Sequence, residues 1–85
     1  MAQVKMYCTD SCPFCRNAEK LLVSKGVEIE KIDSEENAEE FAKIAAEVGS
    51  DSVPQIFIDG KHIGGFDDLS ELDMDDELDP LLGIA

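Results

Sequence analysis

Basic residues are scarce in this chain: seven Lys and Arg stand against twenty Asp and Glu, a formal net charge of −13. A surface this acidic repels nucleic acid and anionic membranes at ordinary salt and favours neutral or basic partners. Long apolar runs are missing too, since no stretch approaches the ~18 consecutive apolar residues of a membrane span. Residues 1–8 read as strand, not as a signal sequence. There is no internal repeat, low-complexity tract or linker, so the 85 residues are expected to form one domain, 1–85. A domain of that size has no room for a second core or a large enclosing barrel. Cysteines number only three, and an odd count suits a reducing compartment, hence the cytoplasm, better than a framework of structural disulfides. The single histidine, His62, has no cysteine or carboxylate beside it and reads as a solvated hairpin position, not as a ligand or base. The apolar fraction of 44% is nevertheless too high for a disordered acidic chain.

The chemistry-bearing feature is Cys12-Pro13-Phe14-Cys15, placed after a short apolar run and before an amphipathic segment. A helix beginning there points unpaired backbone N–H groups, and the positive end of the helix dipole, at the sulfur of Cys12, which favours the thiolate. Pro13 fits the first helical turn because its missing N–H has no intrahelical partner to lose. Cys15, three residues on, lies within reach of Cys12 for a disulfide. The same spacing serves zinc, but Cys12 and Cys15 would make only a half-site that lacks the other two ligands. No metal is expected.

Along the chain, Val4, Met6 and Cys8 alternate at period two with Tyr7 on the opposite face, which predicts an inner strand buried on both sides. From Cys12 onward Cys15, Ala18, Leu21 and Leu22 share one side of a helix that Gly26 stops. Residues 27–33 predict a half-exposed edge strand. Asn37 and Glu40 form a capping signal ahead of Phe41, Ile44, Ala45 and Val48, which predicts a second helix ending at Gly49. Gln55-Ile56-Phe57-Ile58, the turn Asp59-Gly60 and Lys61-His62-Ile63 read as an antiparallel hairpin. Gly64-Gly65 then leads into an acidic helix start at Asp67-Asp68. The order is β-α-β-α-β-β-α. The acidic run 71–79 reads as a solvated helix end with Leu72 and Leu78 turned inward, in preference to a docking face for a basic partner.

These residues resemble the glutaredoxin family, closest to its small bacterial dithiol class. The resemblance covers Val4 to about Leu82 and rests on Cys12-Pro13-Phe14-Cys15, on the segment from Ser52 to Gly60, and on the segment from Gly64 to Leu69. It implies an α/β, thioredoxin-like fold, a four-stranded mixed sheet flanked by three helices, with the three segments converging on one groove for glutathione. It further implies a glutathione-dependent thiol–disulfide oxidoreductase with glutathione as cosubstrate. Cys12 would be the nucleophile and Cys15 the resolving thiol. Phe14, Ser52, Val53, Pro54, Gly65, Asp67 and Asp68 would bind glutathione, with a cis Val53–Pro54 bond. Partners would be disulfide-bonded or glutathionylated proteins, ribonucleotide reductase among the family's expectations, and the protein would act as a monomer. Phe14 stands where the family usually has Tyr. Thr9 stands where many relatives carry a Lys for the glycyl carboxylate, and Asp51 where some carry a basic residue. That leaves Arg16 and Lys43, alongside the uncharged Gln55, as groups that could serve the ligand.

Three other readings of the cysteines are weaker. Cys8, Cys12 and Cys15 spell the three-cysteine spacing of radical S-adenosylmethionine enzymes, but the chain is too short for their barrel. An iron–sulfur cluster carrier is disfavoured by Pro13, since relatives that bind clusters usually have another residue there. A glutaredoxin-like redoxin served by thioredoxin reductase remains an alternative. Cys8 itself reads as a small buried side chain on the Val4/Met6 face, with a regulatory third thiol as the lesser reading.

Overall fold

The computed structural model describes residues 3–9 and 12–84; residues 1 and 2 of the stretch read as strand lie outside that range. The elements are β1 (Val4–Cys8), α1 (Pro13–Ser24), β2 (Ile29–Asp33), α2 (Ala38–Val48), β3 (Gln55–Ile58), β4 (Lys61–Gly64), α3 (Phe66–Met74) and α4 (Leu78–Leu82). The four strands form one mixed sheet in the order β2-β1-β3-β4. β1 is parallel to β2 and antiparallel to β3, and β3 and β4 pair antiparallel. The acidic β2 is therefore an edge, as its sequence predicts, and β1 is interior.

Alternation along β1 and β3 divides the core between the two faces of the sheet. Val4 and Met6 pair with Ile58 and Ile56 and pack with Ala18 and Leu22 of α1, Leu69 of α3, and Leu78 and Leu82 of α4. On the other face, Tyr7 lies 6.1 Å from the Phe41 ring of α2 and 6.0 Å from that of Phe57. The Tyr7 hydroxyl donates to Glu40 Oε2 at 2.9 Å. Burial, then the Glu40 carboxylate, push the Tyr7 phenol up to about 12.

That bond alters one local expectation. Asn37 does precede the first residue of α2, but it makes no side-chain cap, and the Glu40 carboxylate is taken by Tyr7. Asn37 Nδ2 donates instead to the Asp33 carbonyl at 3.0 Å, while Asp33 Oδ1 accepts from the N–H groups of Glu35 and Glu36. The hairpin forms as read: Asp59 and Gly60 have φ of 52° and 83°, the paired positive values of a two-residue turn.

The structure adds a fourth, short helix to the three that the resemblance implies. The acidic run breaks after Met74, and Asp76 takes the left-handed conformation at φ 59°, which Asp tolerates better than most residues. Leu78 and Leu82, one helical turn apart and fully buried, then anchor α4 against the core. Leu72 packs there as well, so both leucines expected to turn inward do so.

Candidate active site

Cys12 is the residue immediately before α1, in extended backbone conformation, and its sulfur accepts the N–H of Cys15 at 3.4 Å. Pro13 occupies the first helical position. One orphan N–H of the helix start, that of Cys15, is thus aimed at this sulfur for the reason the sequence suggests. Cys12 Sγ also donates to the Val53 carbonyl oxygen at 3.6 Å, and Val53–Pro54 is cis.

Cys15 sits on the inner side of the same turn, 4% exposed. Burial pushes its thiol up to about 12; the N–H of Thr9 works against this, and the sulfur of Cys12 adds to it. At neutral pH Cys15 is a protonated thiol beside a half-buried sulfur that accepts a helix N–H. The two cysteines are chemically unequal.

The segments singled out in the sequence meet through a short series of contacts. Cys12 touches Val53; a side chain at Gly65 would come within 3.5 Å of the Pro54 carbonyl oxygen; and Gly65 N–H donates to Asp68 Oδ2 at 3.2 Å. Asp67 and Asp68 occupy the exposed first turn of α3. Gly64 has φ 122°, a conformation that favours glycine, and a side chain there would have to displace the Asp68 carboxylate. Phe14 projects from the first turn of α1 with 55% exposure, an apolar ring at the mouth of the site. Ser52 is exposed, its carbonyl accepting from Gln55 Nε2 at 2.8 Å.

Other expected residues fall around this centre. Arg16 lines a cavity of about 350 Å³ together with Thr9, Cys15 and Cys8. Lys43 and Asp51 are exposed, Lys43 on α2 and Asp51 ahead of β3. Cys8 lies on the Val4/Met6 face and packs against the core, but it is half-buried, because it closes β1 where the strand gives way to the cavity. His62 is exposed, as expected of a hairpin, yet not merely solvated: its Nε2 lies 2.7 Å from Gln55 Oε1 and its ring 5.1 Å from that of Phe57. Sequence reasoning missed that bond. The available signal was the cross-strand register, which sets His62 opposite Phe57 on the face that also carries Gln55.

Comparison with known proteins agrees with this geometry. The glutaredoxin family profile matches residues 4–63. Glutaredoxin 3 of Escherichia coli is 46% identical over 82 residues, spanning 96% of this chain and 99% of that protein. Among solved structures, the glutaredoxin of Brucella melitensis superposes with a TM-score of 0.86 at 39% identity, covering 99% of this chain and 91% of that one. A buckwheat glutaredoxin–glutathione complex superposes at 0.90 and 28% identity, covering 96% and 77%. With a dithiol at the start of α1 and these likenesses over nearly its whole length, the chain belongs to the glutaredoxin family.

Proposed function

We propose that Cys12 is the nucleophile and Cys15 the resolving thiol of this glutathione-dependent thiol–disulfide oxidoreductase. The observation that carries the assignment is the asymmetry of the pair: Cys12 sits at the helix start and accepts the Cys15 N–H, while Cys15 is buried and its thiol is pushed up to about 12. In reduction of a protein disulfide, the Cys12 thiolate attacks one sulfur and the first substrate thiolate leaves and takes a proton. Cys15 then loses its proton and attacks the Cys12 sulfur, releasing the second substrate thiol and closing Cys12–Cys15. That step is eased by the first, because a Cys12 sulfur tied up in a mixed disulfide no longer bears the charge that opposes ionisation of Cys15. Two glutathiones supply the two electrons that restore the dithiol and leave as glutathione disulfide. On a glutathionylated protein, Cys12 takes the glutathionyl group and a second glutathione removes it.

Glutathione is the cosubstrate, and Phe14, Ser52, Val53, Pro54, Gly65, Asp67 and Asp68 are its binding residues in this reading. The contacts from Cys12 to Val53, from Pro54 to Gly65 and from Gly65 to Asp68 support one continuous groove. The exposed carboxylates of Asp67 and Asp68 suit the ligand's ammonium group. Protein substrates are disulfide-bonded and glutathionylated proteins, with ribonucleotide reductase a family-level candidate, and the reducing cytoplasm is the place of action. The test is disulfide reduction coupled to glutathione, glutathione reductase and NADPH. NADPH consumption that depends on both glutathione and Cys12 is expected, and activity that only thioredoxin reductase supports would overturn the reading.

A further inference from the structure

Gln55 follows Pro54 directly, and it is only 3% exposed. A primary amide buried this way is costly unless both of its ends are hydrogen-bonded. Its Nε2 lies 2.8 Å from the Ser52 carbonyl oxygen and 3.4 Å from Ser52 Oγ. A carbonyl only accepts, so the atom facing it must be the amide nitrogen. The other end, Oε1, faces His62 Nε2 at 2.7 Å. An amide oxygen cannot donate, so His62 must carry its proton on Nε2, which assigns both the amide orientation and the imidazole tautomer. The ring is steadied by Phe57 beneath it, at 5.1 Å and 49°. The register shift between Ile56 and Phe57 lies in the same stretch of the hairpin, the kind of irregularity that re-aims side chains.

We propose that His62 is a positioning residue, which through Gln55 fixes the Ser52–Pro54 segment at the point where Val53 faces the Cys12 sulfur. The role rests on the reading above, in which that segment receives the glutathionyl group. Without the His62 donor, Gln55 Oε1 is left buried and unpaired, and the amide is held at its Ser52 end alone. An amide anchored at one end swings more freely, and the tether on the segment weakens one residue before Val53. The Cys12 sulfur keeps the Cys15 N–H at the helix start, so the loss falls mainly on binding of the glutathionyl moiety and much less on turnover of the bound complex.

His62→Phe separates the hydrogen bond from the packing, since it keeps an aromatic ring against Phe57 and removes the N–H. With a glutathionylated peptide as substrate and glutathione as reductant, His62→Phe should raise KM for the peptide about three- to tenfold, the effect of one hydrogen bond, with kcat within about twofold. Adding His62→Phe to Gln55→Ala should cost nothing further. Imidazole nitrogen shifts of the wild-type protein should report the Nε2–H tautomer, a readout independent of activity and of whether Gln55→Ala folds. Wild-type KM in His62→Phe, a full second loss in the double variant, or an Nδ1–H tautomer would each overturn the proposal. Absence of wild-type turnover would instead overturn the functional reading and the role with it, and the tautomer would still decide the bond.

Discussion

The two sulfurs of the dithiol are distinguished by position along one helical turn. Cys12 and Cys15 are the same residue type three positions apart, yet one stands before the helix and the other faces its buried side. This difference was legible in the sequence, because the helix start is marked by Pro13 and the buried side by Ala18 and Leu22. What sequence could not supply was the partner of each polar atom. Gln55 and His62 are seven positions apart on opposite strands, and only the three-dimensional register brings an amide oxygen and an imidazole nitrogen to 2.7 Å. The cation for the glycyl carboxylate is a second such case. Thr9 replaces the expected lysine, but Arg16 lines the same cavity as Thr9. Thr9→Lys should lower KM for glutathione by a few-fold, about 0.5–1 kcal/mol for one partly exposed ion pair, as read in the NADPH-coupled assay. If that substitution is silent while Arg16→Gln raises KM, Arg16 already serves the carboxylate.

Among the elements, those with strong period or turn chemistry emerged where the sequence puts them. The hairpin at Asp59-Gly60 and the helix stop at Gly26 are the plainest, each resting on positive φ that its residues accept. The division of the acidic C-terminal run into α3 and α4 was not legible, because its carboxylates carry no period and the two buried leucines fit one helix or two. Besides the buried Leu78 and Leu82, a lysine at the end of α1 ties α4 down. Lys25, which closes α1, sets its Nζ 2.7 Å from Asp73 Oδ1 and 2.9 Å from Asp79 Oδ1, tying the ends of α1, α3 and α4 together. Its ammonium is held above the usual lysine range, first by the hydrogen bond to Asp73 and then by Asp79. Lys25→Met should lower the urea midpoint, with the deficit shrinking as salt screens the two carboxylates left facing each other. Equal midpoints at low salt would mean that Leu78 and Leu82 alone hold α4.

For the whole molecule, the charge of −13 and the two raised acids set the response to salt and alkali. Glutathione carries two carboxylates and one ammonium, so raising ionic strength from ~0.01 to ~0.15 M, which shortens the screening length from about 30 to 8 Å, should lower its KM. In alkali the sign is set by proton uptake. Cys15 and Tyr7 ionise near 9.0 and 10.0 when unfolded but near 12 in the folded protein. Between those values the unfolded chain binds fewer protons, so stability falls as pH rises through that window and is fully present below it. Urea midpoints from pH 8 upward should decline, and less steeply in Tyr7→Phe, which lacks the phenol. The central claim, that glutathione is taken up on Cys12 and that Cys15 only resolves, is tested most directly by mass mapping of Cys15→Ser after reaction with a glutathionylated peptide. One glutathionyl group on Cys12, with peptide deglutathionylation sustained by added glutathione, is the predicted result; a glutathionyl group on Cys8, or none on Cys12, would contradict it.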